Sequence, residues 1–304
     1  MVIPSPTSSK VVSEATSFRD VFYDSADGLR LYARDYSDHN SSRMPVLCLP
    51  GLTRSSRDFE TVAPHLAQYR RVIAADFRGR GRSHYASDPK TYRPDVELAD
   101  TITLLRHLQI ERVAVIGTSR GGLVALLMAA FNQGNVGGIL LNDIGAVLEP
   151  EGLLRIRSYL GVEREFASWD EAVQALKASN YGFESLADRE WNAFARRLFK
   201  SVDGRPRLDY DLSIAHNFPS TEDIKSIGTP PLWELFAAAN ALPVAILRGE
   251  HSDLLSTATV AAMQDANPQL DATTVAGRGH APFLDEPESW AAINRWLARV
   301  DAGI

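Results

Sequence analysis

The sequence predicts an α/β fold, a mostly parallel, doubly wound sheet with an antiparallel hairpin at its leading edge and an inserted helical cap. Three observations carry this prediction. Short apolar, β-branched runs alternate with helical patterns through the first half of the chain. The alternation stops near residue 150 and resumes near residue 230. Most of the strand runs are apolar at every position, as strands covered on both faces must be.

The first run, FRDVFYDSADGLRLYARDYS, reads as a hairpin turning at Asp27-Gly28. The polar stretch SDHNSSRMP then reads as a surface loop. PVLCLPG, RRVIAADF, RVAVIGTS and VGGILLNDIG follow as buried strands. Between them, RDFETVAPHLAQ, DVELADTITLLRHLQ and RGGLVALLMAAFNQ carry the three-to-four spacing of amphipathic helices. Residues 150–229 break the rhythm: GLLRIRSYL, WDEAVQALKASN and DREWNAFARRLF are helical, with no buried strand between them. They form the predicted cap, and residues 1–149 and 230–304 the core domain. PVAILRGEH, TATVAAMQDAN, LDATTVAG and PESWAAINRWLARV restore the strand-helix rhythm.

Composition narrows the partners. The chain has 304 residues, 45% of them hydrophobic, enough for one large core. Its 32 basic and 38 acidic residues give a net charge of −6, leaving no basic excess to meet nucleic-acid phosphates or an anionic membrane. MVIPSPTSSK lacks a basic and then apolar leader, and no apolar run reaches the roughly 18 residues of a membrane span, so a soluble, cytoplasmic protein is expected. The single cysteine, Cys48, lies in an apolar strand and reads as a buried, inert thiol. A small-molecule substrate is the expected partner, and a homodimer is allowed. No histidine or cysteine cluster has metal-ligand spacing, and no cofactor motif is present. The loop DFRGRGRS is not followed directly by a helix and reads as a structural turn in which Arg78 or Arg82 fixes neighbouring loops.

Chemistry enters at GTSRG, residues 117–121, which matches G-x-S-x-G at a strand-to-helix turn. A side chain on either glycine would crowd the neighbouring backbone, and the turn lifts the Ser119 hydroxyl to the positive end of the following helix. A serine needs a base to remove its proton and a carboxylate to orient that base. Asp253 in GEHSDLLS and His280 in GRGHAPF each lie just after a strand, and the order serine, acid, histidine is the one associated with this turn. Asp143 in LLNDIG, after another strand, is the alternative acid. His251 and Glu250 read as polar loop residues.

With these landmarks in order, together with LPGLTRSSRDF and DFRGRGRS, the chain resembles the α/β-hydrolase superfamily over its whole core. The resemblance implies Ser119 as nucleophile, His280 as general base and then acid, and Asp253 as the group orienting His280. It implies an oxyanion hole from the backbone amides of Leu52 and Arg120. Pro50 stands where relatives more often carry histidine, which puts the supporting hydrogen bonds of that loop in question. Arg120 is unusual at its position; pairing with Asp143 or another buried carboxylate is favoured over reaching a substrate. Arg54 and Arg57 read as solvated or loop-fixing.

The chemistry so implied is acyl transfer on a carboxylic ester or lactone of a small to medium apolar or aromatic compound. The alternatives are carbon–carbon bond hydrolysis of a vinylogous diketone, a perhydrolase, or a non-catalytic receptor on the same fold. Trp169, Tyr181, Phe183, Trp191, Phe194 and Phe199 in the cap, with Trp233 at its return, are the aromatic candidates for the pocket.

Overall fold

The computed structural model describes residues 18–36, 41–226 and 228–303. The leader reading of residues 1–10, and the start of the polar loop at residues 37–40, lie outside them. Strands β1 (Arg19–Asp24) and β2 (Arg30–Tyr36) form the expected hairpin, with Gly28 at φ 78° in its turn. Next come β3 (Val46–Leu49), the short helix α1 (Val62–Leu66) and β4 (Val72–Asp76). Then follow α2 (Pro94–His107), β5 (Val113–Thr118), α3 (Arg120–Phe131) and β6 (Val136–Asn142).

The inserted segment contributes α4 (Pro150–Tyr159), α5 (Trp169–Ser179), α6 (Asp188–Leu198), β7 (Phe199–Val202), β8 (Arg205–Leu208) and α7 (Thr221–Ser226). The chain closes with α8 (Trp233–Ala238), β9 (Val244–Gly249), α9 (Thr257–Ala266), β10 (Asp271–Val275) and α10 (Pro287–Ala302). The eight-stranded sheet runs β1-β2-β4-β3-β5-β6-β9-β10. Pairing is antiparallel from β1 to β4 and parallel from there on.

Period-two alternation divides the sheet's side chains between two apolar layers. Leu47, Leu49, Val113 and Val115 face α2, α3, α8 and α9, where Leu104, Val124, Phe236 and Met263 complete one layer. Val46, Cys48, Ala114 and Ile116 face α1 and α10, where Leu66, Trp290 and Trp296 complete the other. Cys48 is fully buried, and burial pushes its thiol well above the ordinary range, in keeping with an inert side chain.

The sequence reading of the inserted segment needs one correction. It contains a two-stranded antiparallel hairpin, β7–β8, where only helices were expected. The turn is Asp203-Gly204, both at positive φ (49° and 78°). Asp-Gly is the strongest short hairpin signal, and the flanking Phe199–Val202 run hid it because its first residue continues the amphipathic pattern of α6.

Ion pairs tie neighbouring elements together, and each arginine of DFRGRGRS takes part in one. Arg78 donates to both carboxylate oxygens of Asp100, at 2.7 Å each, with both side chains buried. Burial raises the Asp100 carboxyl above the usual carboxylate range against the opposing pull of Arg78. Arg80 lies 2.9 Å from the fully buried Glu97, and Arg82 pairs with Asp20 on β1. Replacing Arg78 with leucine strands a buried carboxylate, so R78L is expected to cost roughly 3 kcal/mol or more. Thermal unfolding of R78L beside the R78L/D100L double variant checks this, the double variant recovering part of the loss.

Candidate active site

Ser119 sits at φ 49°, ψ −109°, between the last residue of β5 and the first of α3. This left-handed backbone is costly for a residue with a side chain. The surrounding packing makes it the only way through: a Cβ on Gly117 would lie 2.5 Å from the Gly121 carbonyl oxygen, and one on Gly121 would overlap the Leu49 carbonyl. Strand, turn and helix are thus held in backbone-to-backbone contact, and the hydroxyl projects over the sheet.

His280 lies in the loop after β10, and its Nε2 is 3.0 Å from Ser119 Oγ. The carboxylate on its other nitrogen is Asp143, at 2.7 Å from Nδ1. Asp143 is the first residue after β6, itself at φ 56°, and is fully buried. Its Oδ1 accepts from the Gly249 N–H at 2.8 Å, and its Oδ2 also accepts from Ser252 Oγ at 2.6 Å. Two donors therefore fix one carboxylate, which holds one ring, which meets one hydroxyl.

Asp253, the acid expected from the sequence, is not the partner of His280. Its carboxylate is held by Arg155 of α4, with Nη2 at 2.9 Å and Nε closer still. Burial opposes its charge, but the Arg155 guanidinium holds its carboxyl below the usual carboxylate range. The backbone explains the exchange of roles. The Asp253 carbonyl accepts from the Gly152 N–H at 2.9 Å, so the loop after β9 faces α4. Asp143, just after the strand beside β5, reaches His280 above Ser119, and the alternative acid named from LLNDIG is the one in contact.

Sequence reasoning missed Ser252, which carried no pattern of its own, and Asn142. Fully buried, Asn142 donates from Nδ2 to Thr118 Oγ1 at 3.1 Å and to the Pro282 carbonyl at 2.9 Å, joining the strand before Ser119 to the loop of His280.

The loop after β3 brings Gly51 and Leu52 to the cavity beside Ser119, while Arg120 opens α3 with a backbone N–H that has no intrahelical acceptor. Support for this loop does not need a histidine at Pro50. Arg80 Nε donates to the Leu52 carbonyl at 2.8 Å, and buried Asp76 accepts from the N–H groups of Ser56 (2.6 Å) and Arg82 (2.8 Å). The Arg120 side chain points away from the cavity, donating to Glu97 at 2.6 Å and to the Tyr92 carbonyl at 3.1 Å. Its buried carboxylate partner is Glu97, not Asp143. Arg57 reaches across to the inserted segment, bonding Asp209 and the Phe199 carbonyl.

A cavity of about 160 Å³ opens above Ser119 and His280, walled by Tyr159, Phe166, Phe194, Phe199, Tyr210 and Phe283. Phe194 and Phe199 were among the aromatic candidates. Trp169, Tyr181, Phe183, Trp191 and Trp233 do not line it. Phe183 and Trp191 are buried one layer behind, packed with Phe194 and Phe283. Trp169 donates to the Gly204 carbonyl beneath the Arg196 guanidinium, Tyr181 is exposed against His251, and Trp233 packs on the core layer of α3. Large aromatics at helical spacing made the inserted segment's own apolar cluster, the more usual use of such residues. Among the described residues no cluster of three or more His, Cys, Asp or Glu side chains could hold a metal ion, and no helix is long and apolar enough to cross a membrane.

A strand-turn-helix serine beneath an inserted segment, bonded to a histidine from the far end of the chain, defines a class of fold and site. Residues 46–293 match the family model of the alpha/beta hydrolase family, and the chain belongs to that family. It is 34% identical over 263 residues to a 3-hydroxybutyrate-oligomer hydrolase of Cupriavidus necator, across 85% of this chain and 89% of that protein. It is 35% identical over 259 residues to a 2-hydroxymuconate semialdehyde hydrolase of a Pseudomonas species, across 83% and 85%. The crystal structure of an alpha/beta hydrolase from Novosphingobium aromaticivorans superposes with a TM-score of 0.86 at 44% identity, covering 94% of this chain and 100% of that one.

Two outcomes are expected. G121A, which drives a methyl group into the Leu49 carbonyl, should lower stability by about 3 kcal/mol, read as a fall in Tm of roughly 6 °C or more; G134A, with open space around its Cβ site, should melt like the parent. D143N should lose about 10³-fold or more in kcat by allowing the wrong histidine tautomer, whereas D253N should stay within about tenfold of the parent; steady-state hydrolysis compares them.

Proposed function

We propose that the protein is a serine hydrolase of carboxylic esters, with Ser119, His280 and Asp143 as its triad and residues 150–229 as a cap over the site. The observation that carries this reading is the unbroken series from Asp143 through His280 to Ser119, at 2.7 and 3.0 Å, on the floor of a largely apolar cavity.

Ser119 Oγ attacks the ester carbonyl as its proton passes to His280 Nε2. Asp143 keeps the Nδ1–H pointed at itself and balances the imidazolium that forms. The developing oxyanion sits at the N-terminal end of α3, where the helix dipole favours negative charge and the Arg120 and Leu52 N–H groups are its donors. His280 then protonates the departing alkoxide. Water enters the same position, is deprotonated by His280, and releases the acid product while Ser119 regains its proton.

The cavity suits a short acyl group better than a long chain. The relative from Cupriavidus necator, named for hydrolysis of 3-hydroxybutyrate oligomers, supports an ester of a short hydroxy acid as the kind of substrate. A second reading is hydrolysis of a carbon–carbon bond, favoured by the 35% identity to the 2-hydroxymuconate semialdehyde hydrolase. The two differ in the leaving group, a carbon rather than an oxygen.

The test is turnover of a p-nitrophenyl ester series from acetate to decanoate. The parent protein is expected to release nitrophenolate fastest with the shorter chains, and S119A to lose 10³-fold or more of kcat. A phosphonate probe should add its mass to the Ser119 peptide alone. Equal inertness of both proteins toward the esters, with turnover of a ring-cleavage diketone, would replace the first reading with the second.

A further inference from the structure

Four arginines, Arg54, Arg155, Arg164 and Arg197, line the cavity. Three are held by carboxylates. Arg54 forms a two-point pair with Asp58, its Nε at 2.8 Å and Nη2 at 2.6 Å. Arg155 is engaged by Asp253. Arg197 lies 3.5 Å from Asp285, donates to Thr61 Oγ1 at 3.0 Å, and rests over the Phe283 ring. Arg164 has no carboxylate partner and no side-chain hydrogen bond among the described residues, although it is half-buried in the cavity wall.

The neighbours of Arg164 show that its placement is built. It lies in the loop between α4 and α5, and the residues on either side are committed elsewhere. Glu163 is exposed, and Glu165 pairs with Arg207 at 3.3 Å while its backbone bridges the same residue. Phe166 is buried in the cap's apolar cluster against Phe199. Tyr210 lines the same cavity, its phenol pushed up to about 12 by burial with the Arg164 charge pulling weakly the other way. A half-buried cation lining the cavity, with no carboxylate partner among the described residues, favours an anion brought by the ligand. A guanidinium offers a carboxylate two parallel N–H donors, which a lysine would not.

We propose that Arg164 is the subsite for a carboxylate at the end of the substrate remote from the scissile ester, so that the preferred substrates are esters carrying a free terminal acid. The proposal rests on the ester-hydrolase reading for its chemistry, but the anion subsite can be tested without turnover. Arg164 acts here by binding and positioning; it does not touch the reacting atoms.

The experiment compares mono-p-nitrophenyl adipate, which ends in a carboxylate, with p-nitrophenyl hexanoate, which has the same six-carbon acyl chain and ends in a methyl group. The parent protein is expected to prefer the adipate in kcat/KM, chiefly through KM, and R164Q to reduce that preference about tenfold or more. R164K, which keeps the charge but loses the fork, should fall between them, and raised salt should weaken the parent's preference. In parallel, calorimetry with S119A measures binding of monomethyl adipate and dimethyl adipate, and is repeated in S119A/R164Q. Tighter binding of the acid that disappears with Arg164 supports the subsite even if neither nitrophenyl ester is turned over, an outcome that would overturn only the hydrolase reading. An adipate-to-hexanoate ratio unchanged by R164Q, or equal binding of the two adipates in S119A, would overturn the subsite.

Discussion

The backbone at Ser119 is passable only because Gly117 and Gly121 carry no side chain, and the remaining geometry of the site follows from that constraint. Where β5 runs into α3 the two elements meet backbone to backbone, leaving Ser119 in a left-handed conformation that the surrounding core over-determines. The strain is held by two apolar layers that clamp β5 from both faces. Ser119 also keeps its place in the ladder, its N–H donating to the Asn142 carbonyl at 3.0 Å. The next residue after Asn142 is Asp143, so serine and carboxylate hang from adjacent strands at the same level. His280 has only to cross that short gap.

Around this point buried charge adds to the apolar packing. Glu97 receives Arg120 from the start of α3 and Arg80 from the loop after β4, and Arg80 in turn holds the Leu52 carbonyl. A single carboxylate thus ties the first turn of α3 to the loop after β3, the two segments proposed to supply the oxyanion donors. Such networks are weak sources of stability but strict about geometry, since removing one member strands the others in a low-dielectric interior. The same economy joins core to inserted segment: the Gly81 and Asp211 N–H groups bond the Asp209 and Gly79 carbonyls, and Arg57 bonds Asp209.

Much of the site could be read without coordinates because its parts obey local rules. G-x-S-x-G needs its glycines for steric reasons that act within five residues, and His280 follows a recognisable strand with glycines beside it. The acid was not legible in the same way. Asp143 and Asp253 both follow apolar strands, both could reach a histidine, and spacing does not separate them. The choice between them rests on Ser252, Gly249 and Arg155, which meet these carboxylates only after β6, β9 and α4 have been brought together. Aromatic pocket residues failed for a related reason: helical periodicity reports which face of a helix is buried, but not whether it is buried against other aromatics or against an open cavity.

What the sequence by itself determined was the alternation of strands and helices, the interruption near residue 150, the elbow serine and its histidine, and the absence of a charge excess for polyanions. These depend on periodicity, turn chemistry and composition, all properties of neighbouring residues. Tertiary structure alone decided which aspartate bonds His280, that Arg120 turns inward to Glu97, that the inserted segment holds a hairpin, and which arginine lining the cavity has no carboxylate partner among the described residues. Each of these is a choice among chemically equivalent side chains, and it is made by distance between residues far apart in the chain.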